Sequence, residues 1–307
     1  MPPVVELHAP GSTDAENLSR LSREIGGVCR DVGFFYVSRH GLEASIEPMF
    51  AWSRRFFALP AADKAALAIS AASDNCGYVG LDTEALDPGA PVDCKEAFNI
   101  RLDPASPAEA DAAYWPRLDG FRAAMRAYFV DVYRLGLDIH RAIAVDLGLA
   151  PTYFDPLLQN PMATLRLLHY PPLPDVAGRL GAGAHTDYGN LTILLTDDAG
   201  GLQARRRDGT WIDVPYIPGA FVCNIGDCLM RWSNDYYVST PHRVISPAGR
   251  ERYSIAFFLD PNAQAMVEPL PACVSADRPA LYPPITAGDY FASRFAATYG
   301  FDAKPST

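Results

Sequence analysis

His185-Thr186-Asp187 sets an imidazole and a carboxylate at positions i and i+2. On an extended strand these positions share a face, so both side chains can aim at one point. His242 is the best third donor. It follows Ser239-Thr240-Pro241 and leads into Arg243-Val244-Ile245, a strand-like continuation. Two imidazoles and one carboxylate leave three positions on a metal open, which suits a ferrous centre that must bind both a co-substrate and O2. Neither part is decisive alone, because His-x-Asp is common in turns and a single histidine is usually structural. Arg252-Tyr253-Ser254 changes the balance. On a strand Arg252 and Ser254 share one face, offering a planar guanidinium fork and a hydroxyl donor to a carboxylate. A guanidinium turned inward needs an anion. His8 and His140 have no partner at ligand spacing, His40 lies in a strand-to-helix turn and His169 has the opposite strand parity to Tyr170, so all four read as structural.

The elements that must position these groups fall into two textures. Residues 1–150 read as largely helical. Thr13 and Glu16 form a capping box ahead of Leu18, Leu21, Ile25 and Val28. Phe34-Phe35-Tyr36-Val37 reads as a short buried strand, and Leu42 to Leu59 as a helix stopped by Pro60. The clearest helix runs from Leu118 to Leu147, with Phe121, Met125, Phe129, Val132, Leu135, Ile139 and Ile143 on one face. Residues 151–307 are different: β-rich runs at 163–170, 191–196, 202–206, 220–225, 238–245 and 253–259 are separated by Gly, Pro, Asp and Asn. That is the pattern of a sandwich or barrel of antiparallel strands rather than of βαβ units. A last helix spans Ala287 to Tyr299, with Gly300 as its stop.

Composition excludes several classes. The net charge of −10 argues against a phosphate-backbone binder. Arg205-Arg206-Arg207 runs into Asp208-Gly209, a hairpin-turn signal, and reads as a solvated strand end. No apolar stretch approaches the roughly 20 residues of a membrane span. The first residues, Met1-Pro2-Pro3-Val4-Val5-Glu6, lack the basic and apolar regions of a signal peptide. The six cysteines form no Cys-x-x-Cys pair and read as reduced thiols, which favours a cytoplasmic setting.

Together, His185-Thr186-Asp187-Tyr188-Gly189-Asn190-Leu191-Thr192, Ser239-Thr240-Pro241-His242-Arg243-Val244 and Arg252-Tyr253-Ser254-Ile255 resemble the isopenicillin N synthase-like branch of the 2-oxoglutarate/iron(II) dioxygenases. Asp31-Val32-Gly33-Phe34-Phe35-Tyr36-Val37, Gly77-Tyr78, Lys95-Glu96-Ala97-Phe98-Asn99 and Asn224-Ile225-Gly226-Asp227 extend the resemblance over nearly the whole chain. It implies a mainly β protein with flanking helices: a double-stranded β-helix (jelly-roll) core with an α-rich N-terminal region. It also implies iron(II) at His185, Asp187 and His242, and 2-oxoglutarate at Arg252 and Ser254 with a hydrogen bond from Tyr170. O2 and a small organic substrate complete the expected reaction, a hydroxylation that releases succinate and CO2. Leu168 and His169 stand where plant members often carry Asn and Tyr. Phe98, Asn224, Trp232 and Phe257 are the expected pocket-wall residues, each of which could equally be core filler.

Three other readings compete. An iron oxidase on the same scaffold would dispense with 2-oxoglutarate and perform ring closure or desaturation. A zinc hydrolase would need a general base beside the metal, and none is evident. A metal-free binding protein would have no use for the three ligands and the Arg-Ser pair together. The substrate and the oligomeric state are not legible in the sequence.

Overall fold

Alternation along strands decides which residues face the site. The computed structural model describes residues 1–8, 14–70, 73, 75–84, 92–104, 115–172, 180–245 and 249–299. Strand β1 (Val4–Glu6) precedes helix α1 (Ala15–Asp31), β2 (Phe34–Ser38), α2 (Ile46–Phe57), α3 (Ala61–Ala65), β3 (Gly77–Val79), β4 (Glu96–Arg101) and the long α4 (Phe121–Asp146). There follow β5 (Thr164–Tyr170), β6 (Ala182–His185), β7 (Leu191–Thr196), β8 (Leu202–Arg205), β9 (Trp211–Asp213), β10 (Phe221–Ile225) and α5 (Asp227–Trp232). The chain ends with β11 (His242–Val244), β12 (Arg252–Leu259), β13 (Met266–Val267), β14 (Ile285–Thr286) and α6 (Ala287–Tyr299).

An eight-stranded sheet has the order β1-β2-β10-β7-β12-β5-β4-β3, and a four-stranded sheet the order β6-β11-β8-β9. The strands of the first 150 residues, β1 to β4, therefore lie in the same sheet as those of the C-terminal half. Helices cover the outer face of the large sheet, and the small sheet lies over its inner face. This explains why the strands read as nearly continuous apolar runs, since both faces are buried. Along β5, Leu165 and Leu167 join the helix-side core, while Leu168 and Tyr170 join the inner one. The architecture is the jelly-roll core with flanking helices that the resemblance implies.

Element ends differ from the sequence reading for local reasons. The side chain of Asp14 caps α1 by accepting from the Asn17 amide at 3.0 Å, while Thr13 and Gly300 lie outside the described residues. Helix α4 begins at Phe121 because Gly120 is left-handed at φ 83°. The expected strand over 238–245 contracts to His242–Val244. Val238 N–H donates to Cys29 O and the Thr240 hydroxyl to Val32 O, so this stretch pairs with the α1–β2 turn instead of a sheet.

Candidate active site

The two sheets carry complementary halves of one site. In the small sheet His185 and His242 are direct cross-strand partners on β6 and β11, which sets their rings 4.3 Å apart, centroid to centroid. Each Nδ1 lies against a backbone carbonyl, that of His185 at 2.8 Å from Gly183 O and that of His242 at 3.1 Å from Thr240 O. With Nδ1 as donor, each Nε2 keeps its lone pair for a metal. The edge of Phe34 packs on His242 with centroids 5.3 Å apart.

Asp187 lies just past the end of β6, in the turn rather than on the strand where the i, i+2 argument places it. Backbone contacts hold the turn: Asp227 N–H donates to Asp187 O at 2.7 Å, and Cys228 N–H to Gly189 O at 3.0 Å. A Cβ on Gly226 would lie 2.3 Å from Gly189 O, so only glycine lets the two segments approach this closely. The Asp227 carboxylate also accepts from the Thr186 hydroxyl at 3.1 Å and from Arg294 of α6 at 2.6 Å, tying the last helix to the turn.

The large sheet grips the Asp187 carboxylate. Thr192 on β7 and Asn224 on β10 are paired across the ladder, and both donate to Oδ2, at 2.5 Å and 2.7 Å. Oδ1 is left facing the Nε2 atoms of His242 at 3.6 Å and His185 at 3.9 Å. The ligand atoms of His185, Asp187 and His242 all lie within 4.8 Å of one another, and these three residues could hold a metal ion. Burial, then the neighbouring His242, pushes His185 down to about 4, so its ring is neutral at physiological pH. Burial alone would raise the Asp187 carboxyl. The two imidazoles and the bonds from Asn224 and Thr192 outweigh it and hold the group below its ordinary value. A buried carboxylate beside two outward lone pairs lacks only a cation, and a ferrous ion fits that donor set.

At the other end of the same cavity, Arg252 is only 1% exposed. Its Nε donates to Gly200 O at 2.9 Å, its Nη1 lies 3.2 Å from Ser254 Oγ, and its guanidinium stacks 4.6 Å above the Tyr170 ring. Arg252 and Tyr170 are themselves cross-strand partners. Among the described residues no carboxylate pairs with this guanidinium, so the cavity offers a buried, oriented cation to a ligand.

Three of the four expected pocket-wall residues, Phe98, Trp232 and Phe257, are corrected by the structure. Phe257 has the opposite parity to Arg252 and Ser254 and packs edge-on against Phe129 of α4 at 4.9 Å, on the helix side. Phe98 packs against Phe56, with ring centroids 4.3 Å apart, on that same side. Trp232 lies in the helix-side core, where its indole donates to Met266 O at 2.9 Å. Asn224 does line the cavity, but its amide is committed to Asp187. The wall is built instead by the inward-facing neighbours of the site residues, among them Arg166, Ala256, Phe258 and Asp260, together with Asn99 of β4 and Phe291 of α6. Strand parity counted from Tyr170 and Arg252 reaches the first four. Nothing in the sequence fixes the phase of β4 or the docking of α6.

Asp260 has a consequence for stability. Gly189 packs so closely that an added Cβ would lie 1.7 Å from Asp260 Oδ1, and that oxygen has no hydrogen-bond partner. Burial raises the carboxyl from 3.8 to about 7, against the opposing pull of Arg101. A raised acid pKa means that the native state prefers the protonated form. The contribution is thus complete below about pH 4 and is lost as pH rises towards 7. Asp260→Asn, measured in metal-free protein, should gain stability over the parent by about 2–3 kcal/mol between pH 5 and pH 8. Urea midpoints at both pH values check this; a constant difference would exclude the burial argument.

Comparison with known proteins agrees with this geometry. Residues 161–261 match the 2OG-Fe(II) oxygenase superfamily, and residues 2–118 match the N-terminal region of non-haem dioxygenases in morphine synthesis. A 2-oxoglutarate-Fe(II) type oxidoreductase, hxnY, from Emericella nidulans is 35% identical, over 97% of this chain and 90% of its own length. A homoarginine-6-hydroxylase from Glycine max is 34% identical over 88% of this chain and 86% of its own. The crystal structure of a full-length Neurospora crassa protein in complex with alpha-KG and thymine superposes with a TM-score of 0.88 at 32% identity, covering 96% of each chain. No helix among the described residues is long and apolar enough to cross a membrane. The chain belongs to the 2-oxoglutarate/iron(II) oxygenase superfamily and is an oxidoreductase that uses iron(II), 2-oxoglutarate and O2.

Proposed function

We propose that this enzyme hydroxylates a small organic molecule, with His185, Asp187 and His242 as the iron ligands and Arg252, Ser254 and Tyr170 as the seat of the distal 2-oxoglutarate carboxylate. The observation that carries the reading is the shared cavity. Three ligand atoms within 4.8 Å of one another occupy one part of it, and a buried guanidinium without a carboxylate partner among the described residues occupies another. Iron, 2-oxoglutarate and O2 supply the oxidising power, with succinate and CO2 as co-products.

The chain's own residues do the positioning. Gly183 O and Thr240 O hold the imidazole tautomers, and Thr192 and Asn224 hold one carboxylate oxygen so that the other faces the metal position. Arg252 orients a dicarboxylate from one side, with Tyr170 as a platform beneath it. Leu168, Leu194, Ala256 and Phe258 exclude water between the two ends. The Neurospora crassa neighbour, solved with alpha-KG and thymine, supports a compact substrate, and the cavity volume of about 180 Å³ agrees. None of the six cysteines forms a disulfide and most of them are buried, which supports a reducing compartment such as the cytoplasm.

The test is succinate release from the iron-loaded enzyme across a library of small molecules, with mass spectrometry of the product. One succinate per oxygenated product is the expected result. Product formed at an undiminished rate without 2-oxoglutarate would replace this reading with an oxidase.

A further inference from the structure

Between the metal position and β4, which lies next to the edge strand β3, the wall is polar and almost fully committed. Leu194, Ala256, Arg166 and Asn99 form one cross-strand row over β7, β12, β5 and β4, and all four line the cavity. Glu84 engages both Arg166 and Lys95, and Asp93 engages Lys95 as well, so two cations meet two carboxylates there. Asp93 is anchored in turn by accepting from the Gly183 amide at 2.8 Å.

Asn99 keeps an acceptor open. It is 2% exposed, and its Nδ2 donates to Asn75 Oδ1 at 3.3 Å, but its Oδ1 has no hydrogen-bond partner. Because the amide nitrogen is used, the oxygen end is the one left open. Leaving a buried carbonyl oxygen unsatisfied is unfavourable unless a ligand supplies the donor. Asp260 Oδ1 is a second oxygen without a hydrogen-bond partner in the lining of this cavity. An anionic substrate would meet paired charges and a bare acceptor oxygen here; a neutral N–H donor would complete the Asn99 carbonyl.

We infer that Asn99 is a specificity-determining residue, its carboxamide oxygen accepting a hydrogen bond from an N–H of a compact, neutral substrate such as an amide, a lactam or an oxo-heterocycle. The inference rests on the proposed oxygenase reading and names the substrate class of that same cavity. It needs no new covalent step.

The experiment is calorimetric titration of the iron(II)-loaded chain with 2-oxoglutarate under nitrogen. Thymine, piperidinone and benzamide are each titrated against the N-methylated counterpart, with benzoate as the anion. At least one N–H compound should bind about tenfold or more tightly than its methylated partner, and benzoate should bind more weakly than benzamide. Asn99→Leu and Asn99→Val should bring the pair to within about twofold of each other. Asn99→Asp keeps an acceptor oxygen and should retain the preference. The inference is overturned if the parent enzyme discriminates in no pair, or if discrimination survives both apolar variants. The 2-oxoglutarate titration in the same samples reads separately: a parent enzyme that fails to bind it sinks the oxygenase reading, while the amide pairs, titrated with the metal alone, still report on Asn99.

Discussion

Asp187→Ala should purify without iron and release no succinate, the largest effect expected of any single substitution here. The carboxylate is the only negative charge among the three ligand residues, and its Oδ1 faces the Nε2 atoms of both histidines. Two imidazoles alone would then have to hold a divalent ion. Losing a supporting residue already weakens metal binding by roughly 10–100-fold, so losing the charged ligand should exceed the upper end of that range. The substitution also strands donors. Thr192 Oγ1 and Asn224 Nδ2 both point at Asp187 Oδ2 and would lose their acceptor in a buried place, at a cost of about 1–3 kcal/mol each. A melting curve is therefore needed beside the metal analysis. Iron retained at one equivalent after dialysis, with succinate still formed, would show that the ligand is another residue.

The part of this site that is legible in the sequence is the part fixed by period. Arg252 and Ser254 share a face because a strand alternates, and the structure turns both into the cavity. The same rule, carried on, turns Phe257 away from the cavity and puts Arg166, Ala256 and Phe258 on its wall. Expecting Phe257 on the wall breaks that parity, so the signal against it is present in the sequence. Other features have no sequence signal to read. Asp187 is aimed by backbone bonds from the start of α5, and the support of its carboxylate by Thr192 and Asn224 depends on the register of β7 with β10. Register is a tertiary fact, and a one-residue slip would exchange the two faces. The same applies to β4, whose alternation is evident but whose phase is decided only by pairing Asn99 with Arg166.

The early strands illustrate a different limit. The helices α1 and α4 are read from apolar spacing and α2 from its stop at Pro60, and the reading holds to within a few residues. What spacing does not reveal is that β1 to β4 complete the large sheet. Short buried strands of three to six residues carry little periodicity of their own. Those strands bring Asn99 and Phe34 to the cavity, and the approach to β4 brings Lys95, so the α-rich region does more than cover the core. It supplies part of the chemistry of the wall.

Arg252→Ala should raise the 2-oxoglutarate requirement about a hundredfold or more while leaving the metal site loaded. The guanidinium is the cavity's cation without a carboxylate partner among the described residues, and a charge-assisted bond to a carboxylate in so buried a place contributes about 3 kcal/mol. Arg252→Lys sharpens the test. Lysine keeps the charge but loses the fork, the stacking over Tyr170 and the rigid bond to Gly200 O. Its requirement should fall between those of the parent and the alanine variant. Metal content should stay at one equivalent in both variants, because no ligand atom and none of the bonds to Asp187 involves Arg252. The alanine variant leaves a hole beside Tyr170, so part of any activity loss could come from collapse of the wall. Titrating 2-oxoglutarate to saturation separates the two causes, since a lost anchor is overcome at high concentration and a collapsed wall is not. If the requirement is unchanged in the alanine variant, the distal carboxylate is held elsewhere, and the buried guanidinium must be explained as a structural brace between β12 and the turn at Gly200.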